Sequence, residues 1–350
     1  MKFPNRWEQP FPGQELMNFA LRVVLRQPDF SLVEKSDLYP WFVYAMQENL
    51  KQQSNEEKLL LPNLHEAESV SVFSDYGGEH PGSRYNTYSF LICAHGPRPF
   101  TESMAELRNK YGMNKPFKEI KFKKLAHGPT SRLLPEYLRL LDNLVIGTVF
   151  TVVIDKRVTS AFGTGKKEVE DATKKALNEA GMSYLKLSVA EKLFRIVHCS
   201  SYLTALLTRE GQKVFWMTDN DAIAETPARH NDTLALFNRL LCYYSKHKFK
   251  LVGGATPFAE KSAEFLDLLS VPDLVGGAVE SYMTNRQKSG DKMMISEGVN
   301  LITEWLSHQG VSMKKHTMLI EPHEDGIKCG VLNFYEKFPN PDAVFLNIKF

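Results

Sequence analysis

Ser69-Val70-Ser71-Val72-Phe73-Ser74-Asp75 is the stretch that decides the fold. Apolar residues alternate with serines up to Phe73, the run ends on an acid, and Gly77-Gly78 follows at once. Period-two alternation closed by a glycine turn is a strand entering a reversal. Residues 85–94 continue with aromatic and β-branched types, so the two runs make a hairpin with a rather long loop.

Working downstream, residues 101–111 read as a helix, 118–123 as a third strand, and 131–142 as a helix that follows Gly128-Pro129. Residues 145–155 are nearly all apolar, as strands buried on both faces are. Residues 166–180 and 189–209 have helical patterns, 212–219 form another buried strand, and 233–245 and 271–283 are helices again. Strands alternating with helices after an antiparallel hairpin imply a mixed α/β sheet flanked by helices. Upstream, residues 15–26 place Leu16, Phe19, Ala20, Val23 and Val24 on one helical face, and a second helix begins near Tyr39. Downstream come a helix over 296–307 and short strands over 317–320, 329–334 and 343–350. The expected organisation is a helical accessory segment over 1–65, a main α/β domain over 66–290 and a C-terminal helix with short strands over 291–350.

The 350 residues carry 43 Lys+Arg against 41 Asp+Glu, a formal charge of +2, so any nucleic-acid affinity must come from a local patch. Cys93, Cys199, Cys242 and Cys329 are far apart, lack a Cys-x-x-Cys spacing, and read as reduced core thiols. The N-terminus has no apolar signal-peptide core and no window approaches a membrane span, which makes the cytoplasm the expected location and leaves no membrane partner.

Three acids end apolar strands: Asp75, Asp155 and Asp219. Open α/β sheets place their sites at the carboxyl ends of parallel strands, so these three converge if their strands are neighbours. A fourth, Asp273, follows Pro272 and is expected to open a helix aimed at the same edge. Clustered carboxylates repel unless a cation neutralises them, and hard Mg²⁺ or Mn²⁺ is the usual oxygen-liganded solution. Two such ions about 4 Å apart activate a water and stabilise the leaving oxygen of a phosphodiester. Singly, each acid has a plainer reading: Asp75 as a turn former, Asp155 as an ion-pair partner of Lys156 or Arg157, Asp273 as a helix-start acid.

The order Asp75-Tyr76-Gly77-Gly78, Glu119-Ile120-Lys121-Phe122, Val153-Ile154-Asp155-Lys156, Met217-Thr218-Asp219 and Pro272-Asp273-Leu274-Val275-Gly276-Gly277-Ala278 resembles a bacterial domain-of-unknown-function family, family 3800, over residues 69–285. The resemblance implies a ribonuclease-H-like fold, a divalent-metal-dependent nuclease acting on RNA or DNA, and a place in a bacterial defence or mobile-element system. The expected roles on this reading are Asp75 bridging two metals, Asp219 and Asp273 holding one each, and Asp155 or Asp221 completing the shell. Tyr76 and Gly77 stand where the family has Glu and Ser, so one metal-site acid is missing, and Glu79 on the same loop is its candidate substitute. The departure supports a rival reading, a catalytically weakened module that binds nucleic acid or protein. A small-molecule hydrolase using the same metals is a third class, since fold does not fix substrate.

Between residues 105 and 125 lie Arg108, Lys110, Lys115, Lys118, Lys121, Lys123 and Lys124 against Glu106 and Glu119. Lys118, Lys121, Lys123 and Lys124 are candidates for tracking a phosphate backbone, with a solvated lysine-rich edge strand as the alternative. Glu119 is read as the partner of Lys121. The N-terminal helices or C-terminal strands are the candidate protein-partner surfaces. Other motifs fail. Gly163-Thr164-Gly165-Lys166-Lys167 lacks the first Gly and the Ser or Thr of a phosphate loop, and Asp219-Asn220-Asp221 is followed by Ile223 and Ala224 where a calcium loop needs other residues. His198-Cys199 lies in an apolar helical pattern, and His316 and His323 lack zinc companions.

Overall fold

The computed structural model describes residues 24–335, apart from 26, 36–39, 97, 116–117, 127, 159, 161, 163–165, 220, 258–262, 290–293 and 325. The helix expected over 15–26 falls outside these residues up to 23, and Val24 makes an antiparallel bridge with Pro62. The strand expected over 343–350 and the 163–165 tripeptide also lie outside.

The chain runs α1 (Trp41–Asn55), β1 (Ser69–Gly77), β2 (Tyr85–Ala94), α2 (Arg98–Lys110), α3 (Pro129–Leu144), β3 (Gly147–Asp155), α4 (Lys166–Glu179), α5 (Leu187–Leu207), β4 (Lys213–Thr218), α6 (Pro227–Ser245), β5 (Leu251–Ala255), α7 (Ala263–Ser289), α8 (Glu297–Ser307), β6 (Met313–His323) and β7 (Gly326–Val331). The strands form one seven-stranded mixed sheet in the order β5-β4-β1-β2-β3-β6-β7. β1, β2 and β3 are an antiparallel meander, while β4 and β5 run parallel to β1. β6 pairs parallel with β3 and antiparallel with β7, so the C-terminal strands extend the same sheet.

Each face of the sheet carries its own core, because successive strand residues point to opposite sides. Val70, Val72, Phe90, Val152, Val214 and Trp216 pack under α1, α4, α5 and α6. Phe73, Leu91, Val149, Val153 and Met217 pack under α2, α3, α7 and α8. Asp75, two residues beyond Phe73, therefore faces the α7 side, and so does Asp219, two beyond Met217.

Three expectations are corrected. The strand over 118–123 does not form: after a loop the chain makes a 3-10 turn at Phe122–Lys124. The alternation of Ile120 and Phe122 with polar residues imitates a strand, but β3 already occupies the free side of β2 over nine residues. The Arg108 guanidinium takes the carbonyls of Met113 and Lys118 instead. β5 escaped the pattern because Gly253-Gly254 weakens its strand signal. A Cβ at Gly254 would lie 2.6 Å from the Trp216 carbonyl oxygen, so close packing on β4 requires that glycine. The helix expected from 271 begins at Ala263, and Pro272 sits inside it. Asp273 is therefore an interior helix residue and not a helix-start acid.

Candidate active site

The β1–β4 register runs through Ser74↔Thr218, which places the next residues, Asp75 and Asp219, side by side at about one strand spacing of 4.8 Å. The Asp219 amide donates to the Ser74 carbonyl at 3.0 Å and locks that placement. α7 crosses this face of the sheet and adds Asp273. The three line one cavity of about 580 Å³, together with Glu79, His80, Glu119, Lys121, Lys123 and Glu280.

Burial raises the Asp75 carboxyl well above the usual carboxylate range, and the charges of Asp273 and Asp219 push it further. The Tyr76 amide, donating to Asp75 Oδ1 at 2.8 Å, offsets only part of this. Burial also raises Asp273, against an amide from Phe122 at 2.8 Å and the nearby Lys121 ammonium. A hydrogen bond between Asp75 and Asp273 raises the first and lowers the second, so the pair titrates together with Asp75 the more readily protonated of the two. Three acids in one half-buried cleft thus relieve their repulsion by retaining a proton.

The remaining expected acids are held elsewhere. Asp155 ends β3 on the same face but at the wrong height: Asp75 is level with Ser89, and Ser89 with Thr151. Asp155 lies four residues past Thr151, about 13 Å along the strand. There its fully buried carboxylate is clamped by Arg84 at 3.0 Å and Arg157 at 2.9 Å. Burial pushes its pKa up, yet the Arg157 and Arg84 hydrogen bonds outweigh this and hold it below the usual range. Asp155 does not line the cavity and is corrected to an ion-pair anchor.

Asp221 and Glu79 are both bound by Lys192, which reaches over from α5; the ammonium lies 2.5 Å from Asp221 Oδ2 and pairs directly with Glu79. The same ammonium sits 5.4 Å from the centre of the Tyr76 ring. Tyr76 also lines the cavity, but its hydroxyl turns to Ser74 at 2.7 Å and Thr218 at 2.9 Å, and it offers the cleft no carboxylate.

Of the four candidate lysines, Lys121 and Lys123 line the cavity, whereas Lys118 bends back to the Gly112 carbonyl and Lys124 is exposed outside the lining. Lys121 pairs with Glu119 at 2.6 Å. Burial works against its charge, but Glu119, Asp219 and Asp273 raise its pKa overall. The supporting packing is tight: a Cβ on Gly277 would lie 2.4 Å from the Phe122 ring, so only glycine lets the lysine-bearing turn sit on α7.

Sequence reasoning missed Glu280, His80 and Lys192. Glu280 was legible in principle, since Asp273, Gly276, Gly277 and Glu280 share one helical stripe facing the cavity. Its carboxylate accepts from Thr284 at 2.8 Å and lies 3.6 Å from His80. Lys192 had no local signal, because its partners come from two distant loops.

Among the described residues, no group of three or more His, Cys, Asp or Glu is already assembled at metal-ligand spacing. The donor chemistry nevertheless fits a hard cation: Asp75, Asp219 and Asp273 offer oxygen only, and their mutual repulsion is what such an ion relieves. No helix among the described residues is long and apolar enough to cross a membrane. No protein-family model and no curated protein matches the chain, so the family resemblance rests on the order and spacing of its motifs alone.

Proposed function

We propose that this chain is a divalent-metal-dependent nuclease of ribonuclease-H-like fold that hydrolyses phosphodiester bonds. The observation that carries the reading is the meeting of Asp75, Asp219 and Asp273 in one cleft, where burial and the charges of the other two push the Asp75 carboxyl up. The strand order β3-β2-β1-β4-β5, with an antiparallel meander and two parallel strands beyond it, supports the fold assignment. So does the origin of the acids from the ends of β1 and β4 and from the helix after β5.

Asp75, Asp219 and Asp273 would hold Mg²⁺ or Mn²⁺, which when bound supplies Lewis-acid polarisation of a phosphodiester and a more acidic water. The Phe122 amide orients the Asp273 carboxylate, and the Tyr76 amide orients that of Asp75. Lys121 and Lys123 on the rim attract the phosphate backbone that three acids alone would repel.

The rival reading, a binding module without catalysis, is favoured by Tyr76 standing where the resembled family has an acid, with its hydroxyl bonded to Ser74 and Thr218. One experiment separates the two. Purified protein is assayed with Mn²⁺ or Mg²⁺ against labelled RNA, DNA and hybrid strands, beside an Asp273→Asn control. Metal-dependent cleavage lost in the control is expected. Tight binding with no cleavage of any strand would refute the nuclease and leave the module.

A further inference from the structure

We propose that the ring of Phe122 is a stacking platform for an unpaired nucleobase, so that the cleft takes single-stranded nucleic acid. The inference rests on the nucleic-acid reading of the site and narrows its substrate class.

Phe122 is not closed inside its core as Phe73, Phe100, Tyr137 and Trp305 are: it is half-buried and lines the cavity that holds the acids. A Cβ built on Gly277 would lie 2.4 Å from its Cγ, 2.5 Å from Cδ1 and 2.8 Å from Cδ2. Near-equal distances to three ring atoms put that position over a face of the ring and not at its edge. Helix α7 therefore supports one face of Phe122, and the cavity is bounded by the part that α7 leaves uncovered. The backbone of the same residue is fixed to the site, since its amide donates to Asp273 Oδ2 at 2.8 Å. Ring and metal-site carboxylate are thus held within one residue of each other.

Lys121 and Lys123 flank Phe122 in the chain and line the same cavity. An aromatic ring between cations is the chemistry of single-strand binding: the ammonium groups follow the phosphates, and the ring accepts the face of any base. A base stacked on Phe122 brings its own phosphate toward Asp273, with Asp75 and Asp219 beside it. In a duplex both faces of each base are covered by its neighbours, so a base reaches this ring only by leaving the helix, at the cost of its pairing and stacking. The cavity volume of about 580 Å³ agrees with that choice, because a space of this size encloses one small ligand such as a nucleotide and not two paired strands.

The test reads stacking apart from cleavage. Fluorescence anisotropy measures binding of the full chain, with Ca²⁺ present, to one labelled strand, as DNA and as RNA, and to the same strand annealed to its complement. Wild type, Phe122→Leu and Phe122→Tyr are compared, and an iodouracil base in the single strand, cross-linked to wild type by light, maps the residue it stacks on. Wild type is expected to bind the single strand more tightly than the duplex and to cross-link at Phe122. Phe122→Leu, which keeps an apolar side chain over Gly277 and removes the ring, is expected to weaken single-strand binding about 5- to 150-fold, while Phe122→Tyr stays within about twofold of wild type. Duplex bound as tightly as single strand, or single-strand binding unchanged in folded Phe122→Leu, overturns the inference and leaves the nuclease reading to its own cleavage assay. Single-strand binding through Phe122 with no cleavage in Mg²⁺ or Mn²⁺ overturns the nuclease and keeps the inference. Binding of neither form overturns both. If Phe122→Leu does not fold, the cross-link and the duplex comparison on wild type decide.

Discussion

Replacing Asp75 with Asn should make the metal-free protein more stable and the metal-loaded protein less so. In the folded chain Asp75 holds a proton well above the usual carboxylate range, whereas the unfolded chain releases it near pH 4. Between those two values the folded state binds more protons than the unfolded state, so stability falls as pH rises, by up to about 1.4 kcal/mol per unit. The loss stops once pH passes the folded value. Asparagine keeps an oxygen for the Tyr76 amide and offers an N–H to Asp273, and it cannot ionise.

The size of the effect follows from the geometry. Were both carboxyls ionised at about one strand spacing, 4.8 Å, they would repel by about 3.5 kcal/mol at an effective dielectric of about 20, which sets the upper bound. The open side of the cavity screens part of this, which leaves an expected gain of about 1–3 kcal/mol for Asp75→Asn near neutral pH in EDTA. For a chain of 350 residues, each kcal/mol moves the melting temperature by about 1.4 °C, so the shift is about 1.5–4 °C upward. With Mn²⁺ at about a hundred times its dissociation constant the wild type gains about 2.7 kcal/mol, roughly 4 °C, and the variant gains little. Differential scanning calorimetry between pH 5 and 8, with EDTA and with Mn²⁺, reads both halves. A variant that melts below wild type in EDTA, or that keeps the wild-type fall of stability with pH, would refute the account of the shared proton.

Lys121 and Lys123 should matter more for nucleic-acid binding than Lys118 and Lys124, because only the first two line the cavity. In fluorescence-anisotropy titrations Lys121→Gln with Lys123→Gln should weaken binding across sequences and flatten the salt dependence by up to about 0.9 log unit per lost duplex phosphate contact. An equal effect from Lys118→Gln with Lys124→Gln would contradict the placement. Asp155→Asn should cost about 2–3 kcal/mol, since it breaks a buried carboxylate held by two arginines, and should leave Mn²⁺ affinity within about twofold of wild type. Its depressed pKa means that the stabilisation is present above about pH 4 and lost as pH falls through the folded value, so acid melts of wild type and variant should converge.

Much of the sheet was legible because its strands are rich in buried aromatic, aliphatic and β-branched residues. β2 was read to its last residue, and β1, β3 and β4 to within about two, since the aromatic and aliphatic residues that mark them fill the two cores. The errors share a cause: a local signal overruled by a distant partner. Residues 118–123 alternate like a strand, yet β2 had no edge to offer. Pro272 resembles a helix start, yet α7 continues through it because Leu268, Val271, Leu274 and Val275 are all buried in one core. Gly253-Gly254 resembles a turn, yet it lets β5 approach the backbone of β4.

The site shows the same limit more sharply. Asp155 and Asp219 carry one signature, an apolar strand that ends in an acid, and both point to the α7 side of the sheet. Alternation along a strand tells which face a residue takes; it does not tell how far along a neighbouring strand the residue will stand. That height is set by pairing register, which for β4 runs directly from β1 and for β3 passes through β2. The β1–β4 register brings Asp219 level with Asp75 and makes a carboxylate pair that needs a proton or a metal. The register through β2 brings Thr151 to that level, where its hydroxyl bonds Ser89 at 2.8 Å, and carries Asp155 on to two arginines. Two acids with the same local sequence pattern thus acquire opposite surroundings, Asp219 beside other carboxylates and Asp155 between two arginines, because of strand pairings that neither local sequence contains.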